Sequence, residues 1–350
     1  IQAEGFTEVR GTWDEHPAML KSLLDRNYCF GINSIVFHVM THNPYPDKKP
    51  GMTLDGIGTF FQRDNTWWRE MPAFTDYITN CQSLLQEGKP VVDIAVYTGD
   101  EMPRRSILPN RLVDVLPGLF GEKYVAQEHN RLKNEGLPME VSPVGVNHTK
   151  NMVKADDFIN PLHGYKYDSF NHDVLKTAMV VNGKIRTAYG MEYAVLVVPQ
   201  ARPMNPNNIN IAKEDIERLR AQGATIIETP WTESTLNSLN IRSDIVLPDG
   251  LDYCHRTSPH RDVYFISNQT DKTISFCIKD LQLRSDKSKA FLFDPISNKY
   301  FRISEAQYSE PLTLAASDSR FIILSNEDMA EASDFSKKKS TTIADLSHNA

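Results

Sequence analysis

The feature that most constrains this chain is its opening, where a strand-like and a helix-like segment alternate twice within the first 89 residues. Residues 1–9, IQAEGFTEV, read as the end of a strand. Pro17 then suits a first helical turn, and Ala18, Met19, Leu20, Leu23, Leu24, Tyr28 and Cys29 form a broad apolar face. Gly31 stands where a helix stop belongs. The β-branched run Ser34–Met40 predicts a buried strand. After a polar loop rich in Pro and Gly, residues 72–87 predict a second helix ended by Gly88. Two βα units can neither close a barrel nor cover both faces of a parallel sheet. Either they join the sheet that follows, or they are the last quarter of a (β/α)8 barrel. An opening in mid-strand favours the second, and with it a missing N-terminal barrel region of the same polypeptide.

The remainder divides by pattern into an α/β part and an all-β C-terminal domain. Over residues 90–249, apolar runs at 91–97, 193–199 and 224–227 alternate with a helix at 214–222 that Gly223 ends. Such alternation predicts a flavodoxin-like parallel sheet, interrupted by an irregular insertion at 102–165. No Gly-rich phosphate loop follows any of these strands, which argues against a nucleotide cofactor. Over residues 250–326 the short runs at 262–267, 273–277, 290–293 and 320–324 predict a small antiparallel β-sandwich. Residues 327–350 are polar and predict a tail or linker.

Charge and cysteine usage exclude several classes. Lys plus Arg is 38 against 45 Asp plus Glu, a net charge of −7, and the one basic run, Lys337 to Lys339, lies in the polar tail. No nucleic-acid partner is expected from that distribution. No apolar stretch reaches the ~18 residues a bilayer span needs. The four cysteines, Cys29, Cys81, Cys254 and Cys277, are far apart, so neither a zinc ribbon nor a dense disulfide framework is expected.

Chemistry concentrates in the first 70 positions, where Glu4, Glu8, Trp13, Asp14, His38, His42, Trp67 and Trp68 crowd together. Sugar rings offer axial hydrogens to aromatic faces and hydroxyls to carboxylates and imidazoles, so this composition suits an oligo- or polysaccharide pocket. Glu4, His38 and His42 fall just past strand ends, the catalytic mouth of a β/α barrel. Glycoside hydrolysis needs a pair of carboxyl groups, and Glu4 is a candidate for one of them. The plainer readings are a solvated Glu4 and a Trp67 that anchors the core beside an exposed Trp68. His38 and His42 have the spacing of a helical metal pair, but residues four apart do not converge on leaving a strand, so metal ligands stay unassigned. No G-x-S-x-G elbow is present.

The blocks Ala3-Glu4-Gly5-Phe6-Thr7, Val36-Phe37-His38, His42-Asn43-Pro44, Pro50-Gly51-Met52-Thr53 and Arg63-Asp64-Asn65-Thr66-Trp67-Trp68 resemble the end of the catalytic barrel in glycoside hydrolase family 106, the α-L-rhamnosidases. Weaker similarity continues to about residue 326. The resemblance implies a secreted or periplasmic inverting hydrolase of plant polysaccharide, with calcium near its site. It implies Glu4 as the general base, an acid upstream of this chain, and a sugar pocket lined by His38, His42, Arg63, Trp67 and Trp68, to which Trp13 is added on composition. Two positions depart from the family pattern: Phe60 stands where a histidine is expected, and Gly5 where Ala or Ser is usual. A retaining β-galactosidase-like hydrolase and a non-catalytic carbohydrate-binding or assembly module remain the alternatives.

Overall fold

The computed structural model describes residues 1–7, 13, 15–54, 57–99, 113, 115–119, 122–133, 162, 164–199, 209–228 and 236–336. Most of the insertion expected at 102–165, and the tail beyond 336, lie outside the described residues.

The first unit runs β1 (Gln2–Gly5), α1 (Pro17–Cys29), β2 (Ser34–Phe37) and α2 (Met71–Leu85). β1 and β2 pair in parallel, with Glu4 opposite Val36 and Gly5 opposite Phe37. Pro17 occupies the first turn of α1, where its missing N–H has no helical partner to lose. Leu20, Leu24 and Tyr28, four apart, form the buried face of α1, and Phe74, Tyr77, Ile78, Cys81, Leu84 and Leu85 form that of α2. Gly88, just beyond α2, has φ +54°, and a Cβ there would lie 2.1 Å from the Thr257 carbonyl oxygen. Only glycine lets the chain pass so close to the later strand.

The second unit starts with β3 (Lys89–Pro90) and β4 (Ile94–Tyr97), then α3 (Glu122–Lys133), β5 (Tyr167–Phe170) and α4 (His172–Thr177). A small antiparallel sheet of β6 (Met179–Val181), β7 (Lys184–Arg186) and β8 (Glu192–Tyr193) follows, then β9 (Val195–Val197), α5 (Ile209–Ala221) and β10 (Ile226–Ile227). β4, β5, β9 and β10 form a four-stranded parallel sheet in the order β10-β9-β4-β5. Ile94 and Val96 pack with Leu162, Tyr165, Leu236 and Ile241 on one face; Ala95 and Tyr97 pack with Leu175, Ala212, Ile216 and Leu219 on the other. Burial on both faces is why β4 reads as an unbroken apolar run. The apparent single strand at 193–199 is in fact two. Tyr193 pairs with Ile185 in the small sheet, and the chain changes sheets at Ala194, whose N–H binds the Asp93 carbonyl at 2.8 Å.

The third unit comprises β11 (Leu251–Thr257), β12 (Arg261–Asn268), β13 (Ile274–Cys277), β14 (Lys289–Asp294), β15 (Lys299–Ile303), β16 (Pro311–Leu314), β17 (Ser319–Ser325) and β18 (Ser333–Asp334). A seven-stranded sheet takes the order β18-β15-β14-β17-β12-β11-β3, while β13 and β16 pair apart from it. Its residues alternate as the pleat demands. Val263, Phe265, Phe291, Phe293, Phe321 and Ile323 pack on α1 and α2, whereas Tyr264, Ile266, Leu292, Ile322 and Leu324 face a second core containing Phe276 and Leu314 from β13 and β16. One face of this sheet is therefore covered by helices from the chain's opening, and the other by a short β pair.

Two polar networks tie the units together, the first buried and the second running from the exposed Arg284 to the buried Asp244 and His255. In the first, Lys21 Nζ donates to Asp25 Oδ2 at 2.6 Å, the Ser317 carbonyl at 3.0 Å and Ser319 Oγ at 3.0 Å. Tyr77 Oη donates to Asp25 and lies 2.9 Å from Ser319 Oγ, so α1, α2 and β17 share one cluster. In the second, Arg284 spans the units: Nη1 and Nη2 donate to the Asp93 carboxylate at 3.0 and 2.9 Å, and Nε donates to Asp244 at 3.1 Å. Beneath it His255, stacked 3.8 Å from the Tyr264 ring, sits between Asp244 at 2.9 Å and Asp262 at 3.6 Å.

Burial alone would push the His255 imidazole down, but the hydrogen bond to Asp244 and the charges of Asp244 and Asp262 outweigh it, so its pKa lies above the ordinary value. A group raised in the folded state contributes its full stability below the unfolded pKa, about 6.5, and loses it as pH climbs through the folded value. The unfolding free energy of the wild-type chain minus that of a His255→Gln variant should therefore shrink with rising pH, by at most about 1.4 kcal/mol per pH unit. Urea titrations from about pH 6 to about pH 9 measure it; a constant difference would mean the imidazole does not titrate there.

Candidate active site

The site grows from the ends of β1 and β2. Ile35 and Phe37 point into the core shared with α1 and α2, so the alternate residues, Glu4 and Val36, stand on the other face. That face is open: Glu4 is exposed, and Val36 is 48% exposed. Ile35 lies over Gly5, where a Cβ would come within 2.4 Å of Ile35 Cδ1, so an Ala or Ser at this step would need the Ile35 side chain to shift.

Past β1 the chain turns at Phe6, whose φ is +65°. The Phe6 ring is buried among Phe37, Phe61 and Phe74 at centroid distances of 5.8, 5.7 and 6.1 Å. Its carbonyl accepts from Thr59 N at 3.0 Å, and the Gly5 carbonyl accepts from His38 N at 2.9 Å. The Thr7 hydroxyl donates to Glu4 Oε1 at 2.7 Å. His38, directly after β2, is half-buried with its Nδ1 buried and unpaired among the described residues. Gly58 makes room for that ring, since a Cβ there would lie 2.6 Å from Nδ1.

The loop after β2 brings His42 and Arg63 to one region. Both are exposed, and Arg63 Nη2 donates to the carbonyl of Asn43 at 3.2 Å. Asn43 Nδ2 donates to Asp64 Oδ2 at 3.3 Å, and Lys49 pairs with Asp64 on its other oxygen. At Gly51, with φ +96°, a Cβ would lie 2.5 Å from Asn43 Nδ2 and 2.8 Å from Asp64 Oδ2. The Pro50-Gly51 step of the motif is thus a backbone requirement.

The tryptophans divide. Trp13 is half-buried and lies 4.6 Å from the Phe60 ring, so the residue standing where histidine was expected is an aromatic wall. Trp67 is 9% exposed, donates its indole N–H to the Glu15 carbonyl at 2.7 Å and meets Phe61 edge-on at 5.9 Å. Trp68 is partly buried on the same core. Trp67 is thus a core anchor beneath the loop, and the partly buried Trp68 packs beside it. Aromatic bulk at these positions serves the helix packing, and the sequence signal for stacking on sugar is the same as that for core. Sequence reasoning passed over Thr7, Asn43 and Asp64, although all three stand inside the motifs quoted above.

Calcium takes six to eight oxygen ligands. Among the described residues no three His, Cys, Asp or Glu side chains converge to hold a metal ion. Chemically, the arrangement offers a carboxylate, Glu4, oriented by Thr7 on an open strand face.

Three comparisons bear on this geometry. A family model described as alpha-L-rhamnosidase, glycoside hydrolase family 106, matches residues 1–136. A Formosa agariphila protein provisionally named a beta-glucuronidase is 30% identical over 305 residues, covering 77% of this chain and 22% of its own length. The structure of a rhamnosidase from Novosphingobium sp. PP1Y superposes with a TM-score of 0.64 at 20% identity, over 98% of this chain and 33% of that one. The chain thus spans about a fifth of the curated relative and a third of the solved one, and it shares the mixed α/β fold of that part.

Proposed function

We propose that this chain, whose residues 1–136 match the alpha-L-rhamnosidase model of glycoside hydrolase family 106, is part of a hydrolase that removes a terminal α-L-rhamnosyl group from a polysaccharide. The observation that carries this is Glu4, a carboxylate oriented by Thr7 on the unshielded face of a parallel strand pair. In the reading we favour, β1, α1, β2 and α2 end a (β/α)8 barrel. A two-strand parallel pair with helices on one face and a 48% exposed Val36 on the other is not a complete layer. Further strands of the same polypeptide would cover that face and bring the acid. The parallel sheet, with its first strand flanked by the second on one side and the third on the other, has the flavodoxin order. The antiparallel unit is the sandwich-like cap on the barrel helices.

In this mechanism Glu4 takes a proton from water as the oxygen attacks the anomeric carbon, while the upstream acid protonates the departing glycosidic oxygen. The two carboxyls then stand about 6.5–9.5 Å apart, leaving room for the water, and the product inverts. A polymeric substrate has to be met outside the cytoplasm, so we place the enzyme in the periplasm or outside the cell.

A second reading has one specific support. Arg63 is exposed and held by the Asn43 carbonyl, where a guanidinium would pair with the carboxylate of a uronic acid; rhamnose has none. The natural enzyme is tested on para-nitrophenyl α-L-rhamnoside and para-nitrophenyl β-D-glucuronide, with the first-formed anomer followed by NMR. Turnover of the rhamnoside releasing the β-anomer is expected. Turnover of the glucuronide alone would install the second reading, retention would bring the nucleophilic mechanism, and binding of rhamno-oligosaccharide without turnover of either would make the chain part of a binding module.

A further inference from the structure

We infer that Thr7 is a positioning residue that orients the Glu4 carboxylate, and that the left-handed turn at Phe6 exists to aim it. The inference rests on the reading of Glu4 as the base. In a continuous strand, residues three apart point to opposite faces and stand about 10 Å apart along the chain. Thr7 nonetheless donates its hydroxyl to Glu4 Oε1 at 2.7 Å. The chain achieves this by folding back at Phe6, with φ +65°. That region is rare for residues with a Cβ and a true outlier for a bulky one.

Glycine would take this conformation freely, yet the sequence has phenylalanine, and the packing explains why. Phe6 is 5% exposed, and its ring is wedged among Phe37, Phe61 and Phe74. Its carbonyl and that of Gly5 are each fixed by an N–H from another segment, Thr59 and His38. The strained turn is thus over-determined from the core side, while its product, the Thr7–Glu4 bond, lies on the open side. Strain of this kind persists only where surrounding structure holds it, and it gathers at functional sites. With Oε1 occupied by Thr7, Oε2 is the oxygen left to receive a proton from water, and the carboxylate plane is fixed before substrate arrives.

Thr7→Val and Thr7→Ser variants of the natural enzyme, assayed with para-nitrophenyl α-L-rhamnoside, test this. Thr7→Val should lower kcat about tenfold with KM unchanged, the rate equivalent of one hydrogen bond. Thr7→Ser, which keeps the hydroxyl, should recover most of the loss. In a Glu4→Gln background Thr7→Val should add nothing, because the two act as a unit. Full kcat in Thr7→Val, or equal losses in Val and Ser, overturns the positioning role while leaving Glu4 as base untouched. Full activity in Glu4→Gln overturns the base instead. A readout independent of turnover is the χ1 rotamer of Thr7, from three-bond couplings in this chain. One rotamer that becomes averaged in Glu4→Ala supports the inference, and averaging in the unsubstituted chain overturns it.

Discussion

Glu4→Gln should lower kcat of the natural enzyme by about 10²–10⁴-fold, the usual weight of a general base. The substitution keeps the shape and the acceptor for the Thr7 hydroxyl but cannot take a proton. Substrate binding should change little, so the loss should appear in kcat rather than KM. In a Glu4→Ala enzyme, which vacates the place of the carboxylate, azide or formate supplied as a small external nucleophile or base should restore part of the rate. A Glu4→Gln enzyme with undiminished kcat would remove Glu4 from the mechanism altogether.

The second large effect is on stability. Lys21→Met should destabilise the chain by about 3–5 kcal/mol near neutral pH. Asp25 has no solvent exposure, and its carboxylate is balanced by Lys21 at 2.6 Å together with the Tyr77 hydroxyl. Burial already raises the Asp25 pKa, against the lowering by Lys21 and Tyr77. Without the ammonium the pKa climbs further, and the chain can answer only by protonating Asp25. A group raised in the folded state is best tolerated at low pH, so the deficit of Lys21→Met should shrink as pH falls towards the carboxylate range. Removing both charges, in Lys21→Met with Asp25→Leu, should recover much of the loss. Urea unfolding of the three variants measures it. Equal stabilities for wild type and Lys21→Met would mean that the pair adds nothing to the core.

What could be read from the sequence follows from how cleanly one physical signal stood alone. α1 and α2 were legible because each buries one face, and because Pro17 and Gly31 mark the limits of α1. β4, β12 and β17 were legible as apolar runs. β11 was not, because Asp252 and His255 interrupt it; both are buried and paired, which no periodicity can reveal. The antiparallel unit reads as a sandwich because apolar residues fill both faces of its strands. Sequence alone cannot say that the layer covering one face is a pair of helices from more than 150 residues earlier. Within the candidate site, Glu4 stands out through its motif and its place at a strand end. Thr7 was missed because its contact depends on a positive φ at Phe6, a conformation that a phenylalanine code does not announce. The Trp67-Trp68 pair was equivocal for a different reason: a large aromatic surface is equally suited to a sugar and to a core.

The pairing of Lys89 and Pro90 with Thr257 and Arg256 has an evolutionary reading. The chain leaves the helical layer on one strand and comes back on its antiparallel neighbour, about 5 Å away. Everything between is spliced into a core that the flanking segments already complete, since α1 and α2 pack directly on β12, β14 and β17. The parallel-sheet unit is therefore a cassette, held at its entry by the Arg284 clamp on Asp93 and near its exit by the Arg284 bond to Asp244. A lineage could exchange, enlarge or lose it without rebuilding the layer that supports Glu4, which frees that unit to diversify at a rate of its own.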